Sequence, residues 1–352
     1  MLKNISIKDF RNIDNIYIEC SNNTHIFLGN NGQGKTNILE AIYTLSIGKV
    51  FRASSAYEAI KFEKQAFHIH AETDDNSLEI HSANFPKKQT RFLVNESKES
   101  FINFLGNFYA VMFSPKDLDL IKGSPGIRRD YLDSVLIRLD KHYAYEINIF
   151  EKILKHRNAL LKKIQNRTSK IDEIEVWDKH FYEKSQPIWE KRFNLIQKIK
   201  EKLEDKYQLI SSKKEHLSII YEKKSDSENF LNDLKKRIER DIILGSTSIG
   251  PHRDDFQILL NKSNSSEFAS QGEVRSIVLA LKLLEVDLIE KEHDAKVTLL
   301  LDDVFSEIDL SRQKALLDLL KSRQGFITTT HLEENLERNT KKIFQVKDGH
   351  IS

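Results

Sequence analysis

The chain has 352 residues, more than one compact core usually organises, so about two domains are expected. Lys and Arg total 55 against 53 Asp and Glu, a formal net charge of +2, so overall charge gives no reason to expect nucleic acid and any such surface must be a local patch. The single cysteine, Cys20, excludes an internal disulfide or a cysteine-built metal site, fits a reducing compartment and reads as a small buried thiol.

The opening MLKNISIKDF lacks the apolar core of a signal peptide, and no apolar run approaches the ~18 residues that span a bilayer. A soluble cytoplasmic protein with no membrane partner is expected. Residues 2–28 alternate as strands do, with Ile5 and Ile7, then Ile16 and Ile18, then the run His25 to Leu28.

That last run feeds directly into GNNGQGKT, a phosphate loop of the form G-x-x-x-x-G-K-[ST] set between a strand and a helix. Its glycines let backbone N–H groups point at phosphates at the helix N-terminus. Gly29, Asn30, Asn31, Gly32, Gln33, Gly34, Lys35, Thr36 and Asn37 are therefore expected to hold a nucleoside triphosphate. Lys35 would reach the β- and γ-phosphates, and the Thr36 hydroxyl would ligate Mg²⁺.

The segments FHIHAE, SLEIHSA, RFLVN and FYAVMF, between Phe67 and Phe113, read as a second, antiparallel sheet beside the nucleotide core. From about Asp130 to Arg240 the pattern turns helical and highly charged. Ile147, Phe150, Leu154, Leu161 and Ile164 form one apolar stripe, and Trp189, Phe193, Ile196, Leu203, Tyr207 and Ile210 another. With the polar link QNRTSKIDEIE between them, an antiparallel helical pair is predicted, broken or kinked at Pro187. A helix of ~25 residues reaches only about 37 Å, a short arm. Lys116 to Asp241 carries a surplus of about six positive charges, suited to a nucleic-acid backbone. Arg128 and Arg129 read either as contacts to DNA phosphates or as a solvated helix start.

Strand character returns with GSTSIGPHRDDFQILLN. Next comes FASQGEVRS, in which Ser270, Gln271, Gly272 and Glu273 form a polar turn at a helix start. Such a turn offers a hydroxyl and free N–H groups to an anion, and one nucleotide does not need two such cradles on one side. The buried strand TLLLDD then brings Asp302 to hold Mg²⁺ through water and Asp303 to orient an attacking water. Without the phosphate loop, the acid pair would equally suit a helix cap. The strand FITTTH should lie beside TLLLDD, and ends in His331, either a γ-phosphate sensor or a surface histidine. IFQVKDGHIS reads as a closing hairpin.

This order of motifs resembles the ABC-type ATPase head. More closely, IKDFRNI, GNNGQGKTNILEAIYTLSIGK, FSPKDLDLIKGSPGIRRDYLD, GPHRDDF, FASQGEVRS and LLLDDVFSEID resemble the RecF family of bacterial recombination-mediator ATPases, related to SMC heads, over the whole chain. The resemblance implies an α/β fold, an ABC-type P-loop ATPase head of mixed sheet, flanking helices and an antiparallel β subdomain, with an inserted all-helical arm domain. The head would comprise 1–115 and 245–352 and the arm 116–244.

It further implies that Ser270, Gln271, Gly272 and Glu273 act on the partner's ATP, that Ser306 to Asp309 face the dimer partner, and that His331 is the switch histidine. Implied too are an ATP-dependent homodimer on double-stranded DNA, recognition of gapped DNA junctions, and recombinase loading with RecR and RecO. Glu273 replaces the usual glutamine and Asp303 the glutamate of transporter heads, and FYAVMFSPKDLDL offers no glutamine to sense Mg²⁺. Slow hydrolysis is the expectation, with ATP acting as a switch. The alternatives are an ATPase subunit of a membrane transporter, which shares the nucleotide motifs but not the helical insertion, and an SMC-like structural DNA-bridging protein, which needs longer arms.

Overall fold

Ile5 and Ile7, two positions apart, are buried on one face of the first strand while Asn4, Ser6 and Lys8 between and beside them are not, as a half-buried sheet requires. The computed structural model describes residues 1–53, 55–211, 213–225, 229–305, 308–332 and 340–352. Its contacts divide the chain into a first unit of Met1–Leu118, Lys206–Lys213 and Gln271–Ser352 and a second of Asp119–Asp205 and Lys214–Ser270.

The first unit begins with β1 (Leu2–Phe10), β2 (Ile13–Glu19), β3 (Thr24–Leu28) and α1 (Lys35–Ile47). It continues through β4 (Ala66–Thr73), β5 (Ser77–Ala83), β6 (Gln89–Val94), β7 (Ser97–Glu99) and β8 (Ala110–Phe113). An antiparallel sheet runs in the order β2, β1, β4, β5, β6, β7. FYAVMF is not part of it. The four residues of β8 are all buried, a pattern that suits a strand covered on both faces, and β8 joins the second sheet.

The chain then enters the second unit with α2 (Pro125–Leu139), α3 (Lys141–Gln165) and α4 (Ile174–Ser211), whose last residues count in the first unit. The two helices do pair antiparallel, with Phe150 stacked on Phe181 at 5.4 Å and His156 on Trp177 at 5.1 Å, although the α4 residues in these contacts precede the stripe that begins at Trp189. Pro187 breaks nothing, since it lies inside the 38-residue α4. Phe181, Ile188 and Trp189 beside it are buried, and their packing outweighs the ~3 kcal/mol a helix-interior proline costs.

Nor is this unit all helical. β9 (Leu217–Glu222), the short helices α5 (Phe230–Lys236) and α6 (Ile238–Leu244), β10 (Asp255–Leu260) and β11 (Ser263–Asn264) follow, with β10 pairing antiparallel to β9 and β11. Because β9 and β10 pair, residues 245–270 group with this unit, unlike the division that the resemblance implied.

GPHRDD is largely buried there, with Arg253 exposed. Asp254 accepts from Tyr221 Oη at 3.0 Å, from the Lys224 N–H at 2.9 Å and from Trp189 Nε1. Asp255 takes a two-point pair from Arg128 at 2.7 and 2.9 Å, and Arg129 donates to the Asp254 carbonyl at 2.8 Å. Both arginines are thus bound within the protein, contrary to a solvated helix start. His252 packs against Phe150 and Phe181, and burial pushes its pKa down to about 4, which keeps the ring neutral.

The first unit closes with α7 (Gln271–His293), β12 (Thr298–Asp302), α8 (Leu310–Leu320), β13 (Gly325–Thr329), β14 (Thr340–Lys347) and β15 (His350–Ile351). The second sheet has the order β15, β14, β3, β13, β12, β8, with every pairing parallel except the closing β14–β15 hairpin. FITTTH does lie beside TLLLDD. Ten of the 13 residues of α1 are buried, and one apolar cluster joins its Ile38, Leu39 and Ile42 to Ile7 and Ile69 of the antiparallel sheet and to Phe27 and Leu300 of the parallel one. Among the described residues no helix is long and apolar enough to cross a membrane.

Asp254→Ala is expected to strand the buried Trp189 N–H and remove the acceptor of two part-buried donors, destabilising the second unit by on the order of 3 kcal/mol, read as a lowered urea midpoint.

Candidate nucleotide site

The carboxyl ends of β3, β13, β12 and β8 lie along one edge of the parallel sheet, where open α/β sheets bind ligands. The loop after β3 turns into α1 through Gly32 (φ 82°) and Gly34 (φ 104°), both in the left-handed region that favours glycine. Gly29 is required for a different reason: a Cβ there would come within 2.3 Å of the Val346 carbonyl oxygen. Asn30, Asn31 and Gly32 are exposed at the loop's crest, while Gly34 and Lys35 are buried at its base.

Lys35 Nζ donates to the carbonyls of Gly29 and Asn30 at 2.7 and 2.9 Å, folding across the loop. Burial lowers its pKa, and the nearby Asp303 and Asp302 carboxylates oppose that shift. Thr36 Oγ1 donates to Asp302 Oδ1 at 2.7 Å. The same oxygen accepts from Thr328 Oγ1 at 2.8 Å, on the strand between β3 and β12. Thr328 Oγ1 and its carbonyl in turn accept the Asp303 N–H at 2.9 and 3.2 Å. Asp303 sits at φ 53°, a left-handed turn that aspartate tolerates and that ends β12. Hydroxyl and carboxylate oxygens are the hard donors Mg²⁺ prefers, so Thr36 and Asp302 fit that ion.

Other anchors were not apparent from the motif. Gln33 is held by the β14–β15 turn, its carbonyl accepting from the Gly349 N–H at 2.9 Å and its Oε1 from the Asp348 N–H at 2.7 Å. Asn37 is turned sideways, donating to Asn12 Oδ1 at 2.7 Å and accepting from Arg52 at 2.6 Å, so its side chain braces the loop. Buried Glu40 accepts four hydrogen bonds, from Arg11 at 3.1 and 3.0 Å and from Arg52 at 2.9 and 2.7 Å. The arginines of IKDFRNI and VFRAS were the only signals in the sequence for this brace.

The remaining predicted residues lie apart from this constellation in the sequence, and the structure gives each a local setting. Ser270 is exposed and immediately precedes α7, which begins with Gln271. Glu273 forms an ion pair with Lys213 at 3.1 Å, so its charge is already partnered. The Gly272 carbonyl accepts from Arg312 at 2.9 Å. Asp309 caps α8 by accepting the Arg312 N–H at 3.1 Å, whereas Ser306 lies outside the described residues. His331 is exposed just beyond β13, its carbonyl accepting from Thr329 Oγ1 at 2.8 Å. Ser114 follows β8 in the stretch that offers no glutamine, and its N–H donates to Asp117 at 2.6 Å.

The model of the RecF/RecN/SMC N-terminal domain matches residues 1–352. The chain is 37% identical to the DNA replication and repair protein RecF of Ruminiclostridium cellulolyticum, over 100% of this chain and 99% of that one. It is 38% identical to its namesake in Streptococcus agalactiae, over 100% and 97%. Among solved structures, the recombination mediator protein RecF–ATP in the RecFOR pathway superposes with a TM-score of 0.90 at 35% identity, covering 100% of this chain and 96% of that one. An Smc head bound to the C-terminal winged-helix domain of ScpA shares the fold alone, with a TM-score of 0.54 at 17% identity over 99% and 95%.

The Glu40 brace carries a pH dependence of definite sign. Burial pushes the Glu40 pKa up, but the hydrogen bonds and charges of Arg11 and Arg52 outweigh it, and the net shift is downward. Its contribution is therefore complete above the ordinary glutamate value of about 4.3 and is lost as pH falls through the lowered one. Glu40→Gln is expected to cost about 2 kcal/mol at neutral pH, with its urea midpoint converging on the wild type's as both are taken towards pH 3.

Proposed function

The chain belongs to the RecF family of DNA replication and repair proteins, built on the RecF/RecN/SMC N-terminal domain, and on that premise we propose that it is an ATP-switched clamp on double-stranded DNA. It is an ATP-binding ATPase of DNA replication and repair. The observation that carries the proposal is the chain of hydrogen bonds from Thr36 through Asp302 to Thr328, set directly beside the Lys35 loop.

In this reading the loop Gly29–Thr36 wraps the triphosphate and Lys35 leaves the Gly29 and Asn30 carbonyls for the β- and γ-phosphate oxygens. Thr36 and Asp302 hold Mg²⁺, which when bound neutralises charge on the β- and γ-phosphates. Asp303 accepts a proton from the attacking water; its backbone N–H is tied to Thr328, and its carboxylate lies near enough to Lys35 to act on that residue's charge. Being one methylene shorter than a glutamate, it reaches less far, which supports slow turnover. Ser270 and Gly272 supply a hydroxyl and N–H groups to the γ-phosphate held by a second copy, and Asp309 faces the same partner.

Two nucleotides closed between two copies give the ligand a large differential affinity for the closed state, and loss of the γ-phosphate reopens it. DNA binding is through backbone phosphates, recognises gapped junctions and cooperates with RecR and RecO in recombinase loading. Arg128 and Arg129 take no part in it, because both are engaged by Asp254 and Asp255.

Sedimentation of wild type, Ser270→Arg and Asp303→Asn, with ATP or ADP and with or without duplex DNA, tests this. The wild type is expected to dimerise with ATP only and Ser270→Arg to remain monomeric. Asp303→Asn should keep the ATP dimer while hydrolysis falls about a hundredfold or more. A wild type that stays monomeric with ATP and duplex DNA refutes the clamp.

A further inference from the structure

Arg312, three residues into α8, joins two segments that the function treats as separate. Its Nε donates to Ser276 Oγ at 2.8 Å and its NH2 to the Gly272 carbonyl at 2.9 Å, both in the first turns of α7. Its NH1 pairs with the Asp309 carboxylate, and its backbone N–H caps onto the other oxygen of that carboxylate at 3.1 Å. Ser276 Oγ closes the figure by donating to the Gly272 carbonyl at 3.2 Å. The Arg312 side chain is only 14% exposed and Ser276 is fully buried, so water competes little for the bonds to α7, whereas the Asp309 carboxylate is 54% exposed.

Three nitrogens of one planar guanidinium thus meet acceptors from segments about 40 positions apart in sequence. A lysine, with a point charge on a flexible stem, cannot span the same set. A second tie on this helix start, Lys213 to Glu273, rests on a lysine side chain that is 56% exposed, and is worth little in salt.

We propose that Arg312 is a positioning residue that locks the start of α7 to the Asp309 loop, so that the Ser270–Glu273 turn and Asp309 meet the second copy's nucleotide as one rigid piece. It touches no reacting atom. The inference rests on the reading of Ser270 and Gly272 as acting in trans. Its consequence is that losing Arg312 leaves a copy able to bind ATP in its own loop but poor at closing over its partner's.

The test compares wild type, Arg312→Ala, Arg312→Lys and Ser270→Arg by two measurements. One is the affinity of the dilute monomer for a fluorescent ATP analogue, and the other is the ATP-dependent dimer dissociation constant from sedimentation. Arg312→Ala is expected to keep monomer affinity within about twofold while weakening the dimer about tenfold to a hundredfold, with Arg312→Lys in between. If Ser270→Arg blocks dimerisation but Arg312→Ala dimerises as wild type does, the coupling is refuted and the trans reading stands. If Ser270→Arg dimerises normally, the trans reading falls and this inference with it. Parallel loss of monomer nucleotide affinity in Arg312→Ala would make the residue a general prop of the fold and overturn the proposal.

Discussion

A single oxygen, Oδ1 of Asp302, accepts hydrogen bonds from Thr36 and from Thr328. Those three residues come from the helix after β3, the end of β12 and the end of β13, and the sheet order places β13 between the other two. They meet only because the three strands run parallel and in register, Ile26 against Ile327 and Ile327 against Leu301. A slip of one residue in either pairing would turn Thr328 to the opposite face of the sheet. The carboxylate would then be left largely desolvated without its donors, at a cost far above that of any one contact. Parallel pairing also demands long crossovers, and those crossovers supply α1, α8 and the second unit.

Around that oxygen the phosphate loop is held from several directions at once. The Asp348–Gly349 turn grips Gln33, the Val346 backbone closes against Gly29, and Asn12 reaches both Asn37 and the space beside Gly34. Beneath them Glu40 ties Arg11 and Arg52 to α1. A loop so braced is preorganised, so ligand binding need not supply the ordering entropy that a free glycine-rich segment would lose.

The second unit is ordered by charge as well as by apolar packing. Arg157 is fully buried between Asp178, Asp241 and Thr247, and Arg192 is buried against Asp133 and the Pro251 carbonyl. Buried ion pairs contribute little net stability, yet removing one partner is costly, so they specify a single arrangement of α2, α3, α4 and the GPHRDD turn. These two arginines are matched by Asp133, Asp178 and Asp241 of the same segment, so their burial does not reduce the cationic surplus counted along it.

Local features were legible in the amino-acid order: the strand, loop and helix around Gly29–Thr36, the alternation of β1, β4 and β5, the two helical stripes, and the acids ending β12. Each depends on neighbours within one turn or one pleat, where side-chain period and backbone freedom are set by the residues themselves. Partners distant in sequence were not legible. That β8 belongs to the parallel sheet, that α4 runs through Pro187, that residues 245–270 group with the helical unit, and that Thr328, Asn12 and Glu40 brace the phosphate loop and its acid all follow from pairings tens to hundreds of positions apart. Only the folded chain decides those, because a hydrogen bond or a buried face is specified by what lies opposite it, and nothing in a residue's own neighbourhood encodes that.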